Sequence, residues 1–225
     1  MALVIPRMRI AVFGATGRTG HPLVERALGR GHEVVAFVRD AASRSAPVRN
    51  DDRVSVVEGD AFSCEGVERA IAGDGDPVDA IVSVLAQTSG GPDDLLTEAG
   101  RRVLAAMDKP GVERFVTLVG AGVSEEGESF GLGGRAMGAL SKLLARSVLE
   151  EAHDQVELGK ASDTRWTVVR GPRLTEDAHT GQFRHGTALS LGMRDSAARA
   201  NGADFILDRL EDDLYSYEMP KVADA

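Results

Sequence analysis

The sequence has one cysteine, Cys64, two tyrosines, Tyr215 and Tyr217, and four lysines among its 225 residues. A lone cysteine excludes an intrachain disulfide and a cysteine-based metal site, and a reducing cytoplasm is the compartment it suits. No apolar run approaches the roughly 20 residues that span a bilayer, so no membrane partner is expected. Met1 to Arg9 is too short for a signal-peptide core and carries no cleavage pattern. Residues 1–8 read as an N-terminal extension and 9–225 as one domain. An excess of basic charge is also missing: the net charge is −9, which argues against a nucleic-acid partner. The five histidines are scattered without metal-ligand spacing, so no metal is expected. The acid excess is accompanied by arginine in place of lysine, a skew that fits a high-GC genome or salt adaptation.

What is present is an alternation of short apolar runs and amphipathic segments. Strands are predicted at residues 9–13, 33–38, 54–57, 78–85, 113–119 and 166–169. Helices are predicted at 19–28, 64–72, 93–107, 137–158 and 200–210. Gly29 and Gly31 are expected to end the first helix, 125–135 to form a surface loop, and the last fifteen residues to be irregular or a short edge strand. Strand and helix in alternation imply crossover connections and a parallel sheet. The near-continuous Val, Ile and Ala runs imply strands covered on both faces. The expected fold is therefore α/β, a single doubly wound Rossmann-type domain with a short C-terminal substrate-side segment.

The segment from Gly14 to Gly20, Gly-Ala-Thr16-Gly17-Arg18-Thr19-Gly, joins the first strand to the first helix. Gly14 suits a tight turn, Gly17 a close phosphate approach, and Gly20 close packing of the helix. The helix N-terminus favours anionic phosphates. At the end of the second strand stands Arg39, followed by Asp40. Arg39 and Arg18 can grip a 2′-phosphate through forked hydrogen bonds, which favours NADP(H) over NAD(H). The alternative is that Asp40 binds the ribose of NAD.

These residues resemble the atypical short-chain dehydrogenase/reductase superfamily, in its NAD(P)H-binding branch. Within that branch the sequence is similar to relatives of biliverdin reductase B (flavin reductase) and to NmrA-like proteins. The resemblance extends to Gly59-Asp60-Ala61, to Ser83-Val84-Leu85, and to the late segment from Trp166 through Pro172-Arg173 to Gly181. It implies that Asp60 and Ala61 contact the adenine, that Ser83, Val84 and Leu85 pass the nicotinamide ribose, and that Pro172 and Arg173 lie on the substrate side. One departure is mechanistic. Many short-chain reductases use a Ser after the fifth strand and a Tyr-x-x-x-Lys on the next helix. Here Gly120 takes the Ser position, and no Tyr lies between Gly120 and Trp166.

Without that relay the alkoxide that develops on a reduced carbonyl lacks its usual acid, whereas a flavin or quinone delocalises the incoming charge. The expected activity is hydride transfer from NADPH to a small flavin, quinone or carbonyl acceptor, in a monomer or homodimer. Ser124 and His153 are the candidate catalytic residues, and Lys142 is read as a surface residue. A non-catalytic NADP(H) sensor of NmrA type is the main alternative. An NAD-dependent epimerase or dehydratase ranks behind both.

Overall fold

The computed structural model describes residues 6–43, 51–73, 75–87, 94–108, 110–120, 146–192 and 194–225, the side chains of 43 and 146–152 excepted. Ten strands are described: β1 (Arg9–Phe13), β2 (Glu33–Val38), β3 (Val54–Glu58), β4 (Ala80–Ser83), β5 (Arg114–Gly120), β6 (Arg165–Gly171), β7 (Arg173–Thr175), β8 (Phe183–Gly186), β9 (Ser196–Ala198) and β10 (Lys221–Asp224). The helices are α1 (Gly20–Gly29), α2 (Val67–Ala72), α3 (Leu95–Met107), α4 (Arg146–Ala161) and α5 (Arg199–Glu211). Eight strands make one sheet in the order β3-β2-β1-β4-β5-β6-β10-β8. Every pairing in it is parallel except that of β10 with β8. This is a doubly wound Rossmann-type α/β fold, as the alternating pattern implies.

Strand alternation divides the core in two. Ile10 and Val12 of β1, with Val34 and Ala36 of β2, face α1 and α5 through Leu23, Val24, Phe205 and Ile206. Ala11, Phe13, Val35 and Phe37 point the other way, toward α2, α3 and α4 through Ile71, Val103, Met107 and Val156. Successive strand side chains point to opposite faces, so a strand sandwiched by helices must be apolar throughout. Each fully buried Phe, Ile or Leu contributes about 1.5–3 kcal/mol. Helix α1 ends as expected: Gly31 has φ +91°, and the N–H groups of Gly31 and His32 donate to Leu28 and Ala27 carbonyls.

Several expectations change. The second helix starts at Val67 rather than Cys64, because Cys64 and Gly66 both take positive φ in a turn bridged by Asp60 and Glu65. The fourth strand is confined to Ala80–Ser83. The start expected for the fourth helix, at 137, and the loop at 125–135 lie outside the described residues. The C-terminal segment is not an edge: β10 lies between β6 and β8 and buries Val222 and Ala223. Strands β7 and β9 form a separate two-stranded parallel sheet beside the main one. Among the described residues no helix is long and apolar enough to cross a membrane.

Candidate cofactor cleft

The strand order reverses direction between β1 and β4, the place where a doubly wound sheet opens a crevice at the C-terminal ends of its strands. A cleft of about 640 Å³ lies there. One wall is the turn after β1, with Gly14, Thr16, Gly17, Arg18 and Thr19. A second comes from the ends of β2 and β3, with Phe37, Arg39, Asp60, Ala61 and Phe62. Val84, Leu85 and Ala86 follow β4 into the cleft, and Leu95 and Ala99 of α3 close it. Leu174 and Arg199 reach in from the C-terminal third of the chain.

The turn is built for close approach. Gly14 has φ +88°, and a Cβ there would stand 2.9 Å from the Val84 carbonyl oxygen. The Gly17 N–H donates to the Gly14 carbonyl at 2.9 Å. A Cβ on Gly20 would drive into the Gly14 carbonyl and the backbone of Ala15. Gly20 is thus behind the turn, where it lets α1 pack against it, and does not line the cleft. Thr19 caps α1 with no side-chain hydrogen bond to the helix. Among the described residues the N–H groups of Arg18 and Thr19 donate to no backbone carbonyl. Free N–H groups and a helix N-terminus together form an anion cradle.

At the end of β2 the two candidate selectors differ in how they are held. Asp40 Oδ1 accepts the Ala42 N–H at 2.8 Å, closing a turn of its own. Arg39 is exposed, lines the cleft and has no hydrogen bond or ion pair among the described residues. Asp60 Oδ1 accepts the Phe62 N–H at 2.9 Å, and its own N–H donates to the Glu65 carbonyl at 3.0 Å. Phe37 stacks on Phe13 with ring centroids 4.7 Å apart, which fixes the floor of that end.

The structure brings Gly14, Thr16, Gly17, Arg18, Thr19, Arg39, Asp60, Ala61, Val84 and Leu85 into one cleft. Other candidates lie elsewhere. Ser83 is buried under the cleft, its carbonyl accepting the Thr117 hydroxyl at 3.2 Å. His153 is exposed on α4 and does not line the cleft. Pro172 and Arg173 do not line it either: β7 begins at Arg173, whose side chain is exposed, and the next residue, Leu174, points in. Ser124 and Lys142 lie outside the described residues. The residues missed from sequence are Phe37, Val38, Phe62, Ala86, Leu95, Ala99, Leu174 and above all Arg199. Arg199 opens α5, far from the glycine turn in the chain, and no local pattern marks it.

A family model described as NAD(P)H-binding matches residues 14–213. The protein YwnB of Bacillus subtilis is 33% identical over 115 residues, which cover 51% of this chain and 48% of YwnB. The chain thus spans about half the length of that curated relative. Among solved structures, a short-chain dehydrogenase/reductase of Veillonella parvula in complex with NADP superposes with a TM-score of 0.77. It is 16% identical, with 96% of this chain and 94% of that one covered. ChuY of Escherichia coli O157:H7, an anaerobilin reductase, superposes with a TM-score of 0.75 at 20% identity, covering 96% and 97%. At these identities the likeness is one of fold.

Proposed function

Because this chain belongs to the NAD(P)H-binding family, we propose that it is a reductase that binds NADPH in the cleft and passes its hydride to a small acceptor of flavin, quinone or carbonyl type. A reduced nicotinamide, when bound, supplies the hydride. The observation that carries the proposal is the pairing of a turn whose Gly14 and Gly20 leave no room for a Cβ with Arg39 at the end of β2, which has no partner among the described residues. The N–H groups of Arg18 and Thr19, with the Thr19 hydroxyl, would hold the diphosphate. Arg39 would receive the 2′-phosphate while Asp40 stays engaged with Ala42. The apolar side chains of Val84, Leu85, Leu95 and Leu174 would exclude water from the reacting end. The named activity of ChuY agrees with a reductase.

Among the described lining residues there is no Tyr or His. This favours an acceptor that delocalises negative charge over a simple ketone. The same observation supports a second reading, an NADP(H) sensor that does no chemistry. The two are separated by one assay series: oxidation of NADPH and NADH in the presence of flavins, quinones and aldehydes. The reductase reading expects turnover with at least one acceptor. It also expects Arg39→Ser to lower the preference for NADPH over NADH by about tenfold or more, as loss of a forked phosphate contact should. No turnover with any acceptor, together with unequal affinities for NADPH and NADP+, selects the sensor.

A further inference from the structure

The anion-binding end of the cleft already holds a carboxylate. Glu176 Oε1 accepts from Arg18 Nε at 2.7 Å and forms an ion pair with Arg199, whose Nη1 lies 3.1 Å away. Both arginines line the cofactor cleft, and with Thr16 and Gly17 both also line a second hollow of about 440 Å³, which Glu176 shares. Two guanidinium groups converge on one carboxylate here, with Asp177 also on the rim of the hollow. Arg199 is only 13% exposed, and its Nη1 also donates to the Leu174 carbonyl at 3.1 Å. Its Nε is buried and has no hydrogen-bond partner among the described residues. A buried guanidinium N–H without an acceptor is a group short of a ligand. The Glu176 and Arg18 side chains, by contrast, are 58% and 72% exposed. An ion pair that open to water is weakly held and exchanges readily.

We propose that Arg18 and Arg199 form an oxyanion subsite, that Glu176 occupies it in the free protein, and that the diphosphate of the dinucleotide displaces Glu176 from it. The proposal rests on the dinucleotide-binding reading above and goes beyond it. It assigns Arg199 as a cofactor ligand and Glu176 as an internal competitor that sets cofactor affinity. A diphosphate brings more oxygens and more charge than one carboxylate, so it can use the forks of both guanidiniums and the free Nε of Arg199. Placement favours the diphosphate, because the subsite adjoins the turn that leads into the N-terminus of α1. Glu176 need not travel far. Its loop is tied at one end by β7, which ends at Thr175. At the other end Thr180 and Gly181 donate their N–H groups to buried Asn201. His179 is held as well, its Nε2 2.6 Å from Asp204 Oδ2, so the exchange is confined to residues 176–178.

The test uses the full chain and two probes, NADPH followed by fluorescence and inorganic pyrophosphate followed by calorimetry. Glu176→Gln is expected to tighten both by about fivefold, the upper range for an exposed ion pair, and the gain should shrink in high salt. Glu113→Gln removes the same charge from an exposed position that lines neither hollow, and should leave both affinities unchanged. In the Arg18→Gln background the Glu176→Gln gain should largely disappear, because one arm of the subsite is gone. Arg18 is exposed, so that background is expected to fold. Unchanged affinity of Glu176→Gln for both probes overturns the proposal. A gain for adenosine 2′-monophosphate equal to that for pyrophosphate overturns the diphosphate assignment. So does an effect confined to the KM of carboxylate-bearing acceptors. If the wild-type chain binds neither NADPH nor NADH, the dinucleotide reading falls, while the pyrophosphate arm still decides whether the subsite exists.

Discussion

At the scale of single residues, glycines of one motif carry different constraints. Gly14 needs its positive φ, while Gly20 needs the absence of a Cβ that would meet backbone on two sides. Backbone cannot swing aside as a flexible side chain can, so Gly20→Ala must push α1 away from the turn. A loss of about 1–3 kcal/mol is expected, the range for overpacking, with dinucleotide binding reduced more steeply than stability because the cradle itself is displaced. Gly202 in the interior of α5 is the control. A Cβ there meets nothing within 4 Å, so Gly202→Ala should stabilise by about 0.5–1 kcal/mol. Urea midpoints and NADPH titrations of the two variants check both directions, and equal effects of the two substitutions would contradict the packing described. The sequence already marked these glycines, since a G-x-x-G-x-x-G run between a strand and a helix has few structural uses. The side of β7 that faces the cleft was not legible. On a strand, a shift of one residue reverses the face, which is why Leu174 lines the cleft and Arg173 does not.

At the scale of elements, long apolar strands could be read and short polar ones could not. β1, β2, β4, β5 and β6 are buried on both faces, and their composition follows from that burial. β7, β8 and β9 are three or four residues long, and their pairing is set by partners distant in sequence. Asn201 shows how such parts are held. It is fully buried on α5, and its Oδ1 accepts the N–H groups of Thr180 and Gly181 at 3.2 and 3.1 Å. Its Nδ2 donates to Thr180 Oγ1 at 3.0 Å and to Asp224 Oδ1 at 2.7 Å. The two backbone donors fix the amide orientation, so Nδ2 must face Asp224. One side chain thus joins α5, the loop that bears Glu176, and the strand β10. Asn201→Asp keeps the shape and puts a second carboxylate against Asp224. At pH 7.5 it should lose about 2–3 kcal/mol through a missing donor and like-charge repulsion. On lowering the pH to 5 part of that loss should return, because a proton shared by the two carboxyls restores a donor. Urea midpoints at the two pH values test this, and an Asn201→Asp protein as stable as wild type at pH 7.5 would rule out the staple.

At the scale of the whole molecule, the preference for arginine over lysine has a structural use. Arg30 reaches Asp204, Asp208 and Glu211 from one guanidinium, and Arg170, fully buried, donates twice to the Met219 carbonyl. A lysine ammonium cannot fork in this way. Burial is strong enough around Arg114 to push its guanidinium down to about 10. Asp204 is the centre of the network that clamps α1 to α5: its Oδ1 accepts from Arg26 Nε at 2.5 Å and Arg30 Nη2 at 2.9 Å, and its Oδ2 is 2.6 Å from His179 Nε2. Burial alone would raise the Asp204 carboxyl, but the hydrogen bonds from Arg26, His179 and Arg30 outweigh it and hold the group below its ordinary value of 3.8. A carboxyl depressed in the folded state binds its proton more readily when unfolded. Its contribution is therefore complete well above pH 4 and is lost as the pH falls below about 4 through the folded value. Asp204→Asn removes the charge but keeps the size, leaving Arg26 and Arg30 facing a neutral amide. At pH 7 it should cost about 2–4 kcal/mol, a little under the figure for breaking a fully buried pair, because the arginines keep some contact with water. The difference between wild type and Asp204→Asn should then narrow steadily as the pH is lowered from 5 to 2.5, since the wild-type carboxyl also becomes neutral. Urea unfolding across that range measures it. A gap that stays constant down to pH 2.5 would mean that the clamp between α1 and α5 does not depend on the Asp204 charge, and that the acid limit of the fold is set by other carboxylates.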